Sequence, residues 1–523
     1  MMVAFGVAEL VHGLYSAVPS VLVAVAQRII EFTPGDFATR AVEILGKADI
    51  PVLVTVTVFS TLALAGVLAY LSLRSRFVAL LGVGVLAAVA LAASFSEPAV
   101  SPLATVLTDL GALGVGSAVA VFLLHTSSEL RPSESGPKPE SPGTEDEPGF
   151  QGVRSREAGS SRGVVVGRRN FLILSGSAAL AGLAATGVGR TLAGGGELGG
   201  SNPVTLSSGS VTLPEPLPEA SLDVPGIPPL ITPAEDSYLI DTALISPRIN
   251  IDSWTLNVTG AVDNPIELTY SDLTSLPTRE ADITLSCVSN EVGGGLISNG
   301  RWTGVLLSDV LAEAGFGRDK IGSASEQLVG RSVDGWTAGF QTDIALDGRE
   351  ALVAFGLNGS ELPLEHGYPV RLVVPGLYGY VSATKWLTEI ELTDWDFNAY
   401  WIQRNWAKEG PIVTQSRIDT VKDGGKLSAG PVPIGGVAWA PHRGINRVEV
   451  STDGGETWND ANLAAQLAID TWRQYVYDWE AQPGKYALKV RATDGEGETQ
   501  TEAEAPPHPS GATGYHTVEV TVV

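Results

Sequence analysis

The one cysteine of the chain, Cys287, is the first candidate for chemistry. It stands in the segment Leu285-Ser-Cys-Val-Ser-Asn-Glu-Val-Gly-Gly-Gly295, where a predicted strand ends and a glycine-rich loop begins. Such a loop lets the backbone approach a ligand closely. A thiolate at this position can act as a nucleophile or as a ligand for a soft metal. The alternative is a small buried hydrophobic residue, the usual environment of a free cysteine.

A second group of candidate side chains lies between residues 366 and 386. His366-Gly-Tyr-Pro-Val-Arg371 leads into an apolar strand, a second glycine loop follows, and Lys385 comes after that loop. Three basic side chains and loop amides in an otherwise acidic region suit an anionic phosphate or pterin group. The alternative is that Arg371 and Lys385 pair with surface carboxylates. The sequence alone leaves both interpretations open.

Several common catalytic patterns are missing from the sequence. No histidine of the region after residue 200 lies in a pattern that names a catalytic triad; these residues are His366, His442, His508 and His516. The sequence also lacks a His-x-x-x-His zinc pair, a Walker loop and a dinucleotide fingerprint. One cysteine excludes an intramolecular disulfide framework. These exclusions favour a cofactor held by basic and polar groups.

The charge is strongly negative and unevenly distributed. The 523 residues, enough for several domains, carry 33 Lys+Arg against 58 Asp+Glu, a net charge of −25. Residues 200–523 account for −23 of this charge. The clustered Lys and Arg that a phosphate backbone requires are missing, so nucleic acid is not the expected partner. Nine Lys against 24 Arg in an acidic chain is typical of a high-salt habitat, although any acidic solvated surface has the same composition.

Residues 1–125 are predicted to form a four-helix transmembrane region. The apolar stretches 7–30, 50–73, 77–95 and 102–124 each approach the ~20 residues that a membrane-spanning helix needs. A fifth stretch, 171–189, follows two arginines, and its alternative is a buried helix of a soluble domain. Because positively charged loops stay in the cytoplasm, the arginines near residues 74–76 and 154–169 predict a cytoplasmic N-terminus. Everything after about residue 194 then lies on the extracytoplasmic side of the cell membrane.

The segment between the fourth and fifth stretches, 126–168, is rich in Ser, Pro, Gly and Glu. Such a composition predicts a disordered cytoplasmic linker. The following Arg168-Arg169-Asn170-Phe171-Leu172 resembles a twin-arginine export signal, so 169–193 is predicted as a twin-arginine-like fifth span. Two arginines that serve only as a positive anchor are the alternative.

His12 and His125 fall near the cytoplasmic face in this topology. Two histidines so placed could ligate a haem b that exchanges electrons with quinone. Haem is disfavoured because isolated histidines at membrane helix ends are mostly interfacial, and because Cys287 is expected on the opposite side of the membrane.

The remaining sequence predicts a tether followed by two soluble domains. Residues 194–233 are rich in Pro, Ser and Gly and are predicted to form the tether. In 234–415, short β-like runs alternate with brief helical segments such as 306–314, a pattern that predicts an α+β domain. In 416–523, alternating apolar and polar runs separated by Asp-Gly and Pro-Gly turns predict a β-sandwich.

The motifs of residues 231–523 resemble the sulfite oxidase-type family of molybdopterin-dependent oxidoreductases. The catalytic-domain motifs are Cys287, Gly300-Arg-Trp-Thr-Gly-Val, His366-Gly-Tyr-Pro-Val-Arg371 and Thr384-Lys385-Trp386-Leu. The later Gly436-Val-Ala-Trp, Arg447-Val-Glu-Val-Ser-Thr-Asp-Gly-Gly-Glu-Thr-Trp458 and Arg491-Ala-Thr-Asp-Gly resemble the immunoglobulin-like dimerisation domain of that family. The resemblance covers none of the first 200 residues.

This resemblance implies roles for six residues. Cys287 would give its thiolate to molybdenum, while His366, Arg371, Thr384 and Lys385 would hold the molybdopterin and its phosphate. Asn290 is a catalytic candidate that would face the substrate pocket, and an asparagine that only shapes the loop is equally plausible. A soft thiolate suits a high-valent oxo-metal, and the cofactor would move an oxygen atom and two electrons. The sandwich would form a homodimer.

Departures from the family pattern leave the substrate open. The sulfite-oxidising members have a basic segment after the metal-binding cysteine, whereas this chain has Val288-Ser-Asn-Glu291, and Glu291 would repel sulfite. Tyr238-Leu-Ile-Asp-Thr lacks their Arg-Asn-His cluster. The expected substrate is therefore a small oxyanion such as sulfite or an S- or N-oxide, with an unknown electron-transfer partner. A non-catalytic cell-surface binding module that keeps the fold is the competing interpretation.

Overall fold

The computed structural model describes residues 2–15, 18–33, 49–72, 76–96, 101–128, 168–194, 204, 210–244 and 246–523. Most of the predicted linker 126–168 and the first part of the predicted tether lie outside the described residues. The chain divides into two compact units. One comprises residues 1–28 and 52–196, and the other comprises residues 29–51 and 197–523.

The described N-terminal elements are all helices. They are α1 (Met2–Leu14), α2 (Val21–Phe32), α3 (Asp49–Ser72), α4 (Arg76–Phe95), α5 (Pro102–Ser128) and α6 (Arg168–Gly194). Glycines let α1 and α6 pack closely, because a Cβ on Gly6 or Gly13 would overlap the backbone of Gly182 or Gly189.

By length and composition, one helical segment of the described residues could cross a membrane. It is Pro102–Leu123, with 22 residues and a mean hydropathy of 1.9. The shorter apolar helical segments are Met2–Leu14, Thr55–Leu64, Gly84–Phe95 and Ile173–Gly189. The five-span arrangement therefore stays a prediction.

The apolar stretch 7–30, expected as one span, is two helices. α1 ends at Leu14 and α2 begins at Val21, with Pro19 between them. Proline has no N–H to donate and a fixed φ, so a continuous helix would lose a backbone hydrogen bond there. The expectation of a single helix over this stretch is wrong for that reason.

The domain that carries the site is a mixture of two sheets and short helices, as predicted. One sheet has the order β2-β1-β10-β5-β6, and the other has the order β3-β4-β7-β8 with β9 paired to β7. The elements are β1 (Thr255–Gly260), β2 (Ile266–Thr269), α7 (Tyr270–Ser275), β3 (Thr278–Ser286), β4 (Ile297–Leu306), α8 (Leu307–Glu313), β5 (Gln327–Ser332), β6 (Thr337–Gln341), β7 (Leu352–Leu357), β8 (Ser360–Glu361), β9 (Arg371–Val373), α9 (Gly379–Ser382) and β10 (Leu387–Thr393).

Two of these pairings place the site. β3 and β4 pair antiparallel from Thr278–Val305 to Ser286–Ile297, so the loop that joins them contains Cys287 and the glycines. β9 pairs with β7, with Ala354 opposite Arg371. β3 and β9 belong to the same sheet, whose apolar residues are buried. The site therefore lies on a rigid base.

The C-terminal part is a β-sandwich, as predicted. Its sheets have the orders β11-β13-β17-β16 and β12-β19-β18-β14-β15. Burial alternates along β18 and β19, as expected for strands with one face toward a core. The strands are β11 (Gln415–Ile418), β12 (Gly425–Leu427), β13 (Gly430–Trp439), β14 (Ile445–Ser451), β15 (Asn459–Asp460), β16 (Asn462–Leu463), β17 (Arg473–Ala481), β18 (Gly484–Asp494) and β19 (His516–Val522).

The two soluble domains share buried contacts. Trp439 and Trp472 of the sandwich lie in the same hydrophobic cluster as Leu372 of β9. The Trp472 indole N–H donates to the Leu230 carbonyl at 2.9 Å, and the Trp472 backbone N–H donates to Thr284 Oγ1 at 2.8 Å. Thr284 lies three residues before Cys287, so the sandwich supports the strand that leads to the thiol.

Candidate functional site

Cys287 follows the last residue of β3 and is half-buried. Its backbone N–H donates to the Leu296 carbonyl at 3.0 Å, which closes the base of the glycine loop. Burial raises the pKa of the Cys287 thiol, and hydrogen bonds from Ser289 and the charge of Lys385 oppose that rise. The net effect is a raised pKa, so the protonated thiol is favoured in the chain alone, and the Lys385 charge only reduces that shift.

Asn290 shapes the loop beside Cys287. Its side chain is 2% exposed, and Oδ1 accepts the N–H of Leu296 at 2.8 Å. Its Nδ2 is buried without a hydrogen-bond partner among the described residues. An unpaired buried amide costs free energy, so a ligand oxygen placed there would gain a donor. The loop-shaping role is thus observed, while the catalytic role stays a prediction.

Arg371 is a buried cation without an ion-pair partner in the described chain. Arg371 is 4% exposed. Its Nη1 donates to the His366 carbonyl at 3.0 Å, and its Nε donates to the Leu372 carbonyl at 3.4 Å. The guanidinium lies 5.1 Å from the centroid of the Trp302 ring. Burial lowers the pKa of Arg371 to about 10. Because a buried charge is costly unless compensated, this group suits an anionic ligand.

His366 is buried beside that guanidinium. Its Nε2 lies 3.1 Å from the carbonyl oxygen of Ala234, and a carbonyl only accepts, so this nitrogen carries the proton. Burial, together with the charges of Arg371 and Lys385, lowers the pKa of His366 to about 4. The imidazole is therefore neutral at pH 7, with a lone pair on Nδ1.

Lys385 has a different environment from Arg371. Its ammonium donates to Asp241 Oδ2 at 2.9 Å and to the carbonyls of Glu365 and Ile240 at 2.8 and 3.3 Å. Burial lowers the pKa of Lys385, and Asp241 opposes that shift. The predicted alternative of a carboxylate pair thus describes Lys385 and does not describe Arg371.

Thr384 precedes Lys385 and is fully buried. Its hydroxyl donates to the Gly330 carbonyl at 3.4 Å, and its own carbonyl accepts the N–H of Leu372 at 2.9 Å. These contacts join β5 to β9. Cofactor binding by Thr384 stays a prediction.

The backbone brings Arg371 and Lys385 together at Gly367. This glycine has φ +109°, and a Cβ on it would lie 3.1 Å from both the Arg371 Cβ and the Lys385 Cβ. Trp386 also has a positive φ, +47°, and its indole N–H donates to the Leu364 carbonyl at 2.9 Å. A non-glycine residue held in this strained conformation is typical of a functional segment.

Two tyrosines near the thiol were not singled out by the sequence. Burial raises the pKa of Tyr238, and the Cys287 thiolate charge raises it further while Arg371 opposes the shift. Burial likewise raises the pKa of Tyr378 to about 12, again with Cys287 as a contributor. Tyr238 and Cys287 are 49 positions apart, so no local spacing could have predicted this proximity.

The six predicted residues fall into two groups: Cys287 and Asn290 on the loop after β3, and His366, Arg371, Thr384 and Lys385 around Gly367. His366, Arg371 and Lys385 are coupled by charge, and Lys385 also acts on Cys287. A thiol at a loop, an unpaired buried guanidinium and an orphan amide of Asn290 fit a group that combines a metal with an anionic tail. No cluster of three or more metal-binding side chains occurs among the described residues.

Two family models match the chain. Residues 243–401 match the oxidoreductase molybdopterin binding domain, and residues 407–505 match the Mo-co oxidoreductase dimerisation domain. These matches cover the two soluble domains described above.

Curated relatives match the same part of the chain. Mitochondrial sulfite oxidase of Rattus norvegicus is 33% identical over 258 residues, covering 42% of this chain and 47% of the relative. Sulfite oxidase of Arabidopsis thaliana is 29% identical, covering 44% of this chain and 70% of the relative. An NADH nitrate reductase of Brassica napus is 26% identical, covering 45% and 31%. The chain spans about half the length of the first of these relatives.

Proposed function

Because the chain belongs to the sulfite oxidase-type family of molybdopterin-binding oxidoreductases, we propose that it is a molybdenum cofactor-dependent oxidoreductase that catalyses oxygen-atom transfer. In this proposal residues 234–415 form the catalytic domain and residues 416–523 the dimerisation domain. The observation that carries it is the buried Arg371 guanidinium, which has no carboxylate partner in the described chain, in the same region as Cys287. When bound, the molybdenum cofactor supplies the oxygen-atom transfer and the associated two electrons.

Cys287 would hold the metal. Burial disfavours the thiolate in the chain alone, and a bound metal cation reverses that balance because it stabilises the deprotonated ligand. The hydrogen bond from the Cys287 N–H to Leu296 orients the side chain at the start of the loop.

Arg371 and His366 would hold the anionic end of the pterin group. The guanidinium offers a charged fork that matches phosphate oxygens. His366 is neutral, so it would bind the anion by donating an N–H, after a change of partner, rather than by a charge. Lys385 would join them by exchanging Asp241 for the ligand, and Thr384 would hold β9 against β5 of the other sheet.

The charges around Cys287 favour a neutral oxide as substrate over sulfite. Arg371 is assigned to the cofactor, Lys385 is paired with Asp241, and Arg417 at the glycine loop is paired with Asp419 at 2.7 Å. The exposed Glu291 follows the thiol in the loop. An S- or N-oxide needs hydrogen-bond donors rather than a cation, and the hydroxyls of Tyr238 and Tyr378, which interact electrostatically with Cys287, are candidates for that role.

The main test is the molybdenum content of the full chain produced in a host that makes the cofactor. We expect about one molybdenum per chain, and none in Cys287→Ser, which should unfold at the same temperature as the wild type in its cofactor-free form. A folded wild-type chain without molybdenum would support the non-catalytic binding module instead. A screen of sulfite against S- and N-oxides, followed by the Mo(V) EPR signal, then identifies the substrate class.

We further propose that the enzyme is anchored in the cell membrane with residues after about 194 outside. Support comes from the apolar helical segment Pro102–Leu123, the shorter apolar helices and the arginine distribution. Twin-arginine-type export of 169–193 would deliver the domain already folded around its cofactor. Reporter fusions after residues 128 and 200 test this topology, because enzymatically active alkaline phosphatase is expected only at the second position.

Homodimer formation through residues 416–523 is also proposed, because this part of the chain matches a dimerisation domain. Analytical ultracentrifugation of the full chain in detergent tests it, and a monomer at micromolar concentration would contradict it.

A further inference from the structure

The glycine segment of the loop beside Cys287 has no side chains of its own to hold it. This segment, Gly293–Gly295, consists of glycine alone, and Gly293 has φ +76°. Glycine loses more conformational freedom on ordering than other residues, so this loop needs contacts from outside to keep one conformation.

Arg417 of the sandwich makes such a contact. Its Nη1 donates to the Gly294 carbonyl at 2.6 Å, and its Nε donates to Asp419 Oδ1 at 2.7 Å. The guanidinium is thus fixed by the carboxylate on one side and binds the loop on the other. The Arg417 carbonyl accepts the Tyr475 hydroxyl at 2.9 Å, which fixes the backbone of this residue too.

His516 makes the second external contact. Its ring fills the space beside Gly293, since a Cβ on that glycine would overlap the imidazole. Its Nδ1 accepts the N–H of Ile418 at 3.0 Å, so the ring is tied to the residue after Arg417. Two strands of the sandwich, β11 and β19, therefore hold one glycine segment.

The loop transmits this support to the thiol through short hydrogen bonds. Gly294 N–H donates to the Glu291 carbonyl at 2.8 Å, and Leu296 N–H donates to Asn290 Oδ1 at 2.8 Å. Leu296 in turn accepts the N–H of Cys287 at 3.0 Å. A displacement of Gly294 would therefore be transmitted to Cys287 through the hydrogen bonds within this loop.

We propose that Arg417 is a positioning residue for Cys287, through which the sandwich domain holds the glycine loop in the conformation that presents the thiol. The functional meaning of this role rests on the proposed function, whereas the order of the loop is measurable without it. A cavity of about 330 Å³ adjoins Arg417, His516 and the loop, so water rather than another side chain would replace a shortened Arg417.

The test uses Cys287 as the only thiol in the full chain. In the cofactor-free protein, Arg417→Ala should increase the rate of native-state alkylation by iodoacetamide by about three- to tenfold, since one hydrogen bond from a charged donor is lost. Backbone hydrogen exchange at residues 293–296 should rise in parallel. Arg417→Lys, which keeps a cationic donor but not the fork, should give an intermediate rate.

Arg447→Ala is the matched control, because this exposed arginine of β14 pairs with Asp460 at 2.5 Å and lies outside the loop contacts. It should leave alkylation and exchange unchanged. If Arg417→Ala does not fold, Asp419→Asn replaces it, because it releases the guanidinium without removing it. Wild-type alkylation and wild-type exchange in the folded Arg417 or Asp419 variant would overturn the proposal.

Molybdenum loading separates this inference from the proposed function. If the wild type loads molybdenum and Arg417→Ala loads less with a broadened Mo(V) EPR signal, both stand. If the wild type never loads molybdenum but the alkylation effect is found, the proposed function fails and the loop anchor stands. Equal loading with an unchanged signal in both proteins counts against Arg417 as a positioning residue.

Discussion

The Arg371 guanidinium lies 5.1 Å from the centre of the Trp302 ring and forms no ion pair with any described carboxylate. The nearby Asp241 acts on it electrostatically but forms its hydrogen bond with Lys385. The folded chain pairs Lys385 with a carboxylate but leaves the buried Arg371 without one. Arg371 is therefore the cation that suits an anionic ligand.

Arg371→Met should therefore separate stability from cofactor retention. We expect the cofactor-free variant to be at least as stable as the wild type, by up to about 1–2 kcal/mol, because a buried charge is replaced by an apolar side chain of similar length. Molybdenum content should fall below about a tenth of the wild-type value. Urea unfolding and metal analysis measure the two effects.

The control for this prediction is Arg331→Met, because Arg331 is paired with Glu391 in the same domain. It should keep molybdenum. Equal molybdenum content in both variants would show that Arg371 does not hold the anionic group.

Gly367→Ala should disrupt the site from the backbone. The left-handed φ of +109° costs an alanine about 1–2 kcal/mol, and its Cβ would press on Arg371 and Lys385 at 3.1 Å. We expect a total loss of about 2–4 kcal/mol in the free energy of unfolding, with loss of molybdenum. Gly348→Ala, with φ +99° and open space around the added Cβ, should show the backbone cost alone and keep the metal.

Asp241→Asn should test the exchange of partners by Lys385. The cofactor-free chain should lose about 2 kcal/mol of stability, because a largely buried ammonium loses its carboxylate. The same change should leave molybdenum content unchanged or higher, since the ligand no longer competes with Asp241. A loss of molybdenum in proportion to the loss of stability would indicate that the Lys385–Asp241 pair persists in the loaded protein.

Stability should fall as the pH decreases from about 6.5 toward 4. The pKa values of His366 and His516 are both lowered to about 4, mainly by burial, so the unfolded chain binds protons in this range that the folded chain does not. Each fully effective histidine contributes about 1.4 kcal/mol per pH unit there, and less for the partly exposed His516. Asp334, whose pKa burial raises, contributes with the opposite sign.

His516→Gln measures that contribution. Its oxygen can still accept the Ile418 N–H, but it does not titrate, so the difference in stability between pH 7 and pH 5 should shrink. An unchanged difference would mean that His516 does not differ in protonation between the folded and unfolded chains.

The sequence predicted the elements that depend on local patterns. The alternation in 486–492 and 516–522 and the apolar run after Arg371 were all found as strands, because side chains of a strand alternate between faces and this period is visible in a sequence. The break at Pro19 was also visible locally, and the prediction of one helix gave too much weight to composition.

The sequence could not distinguish Arg371 from Lys385. Both are cations within one motif, and their different surroundings come from residues far away: Asp241 is 144 positions from Lys385, and Gly294 is 123 positions from Arg417. Such long-range contacts depend on the order of the strands in the sheets, and a short sequence motif carries no information about that order. Tyr238 and Tyr378 were missed for the same reason.

The shared hydrophobic cluster of the two soluble domains has a consequence for motion. Trp439 and Trp472 pack among side chains of the neighbouring sheets. A hinge motion of one domain relative to the other would therefore expose this hydrophobic cluster to water. We expect a single melting transition for residues 210–523, without hinged closure of one domain on the other.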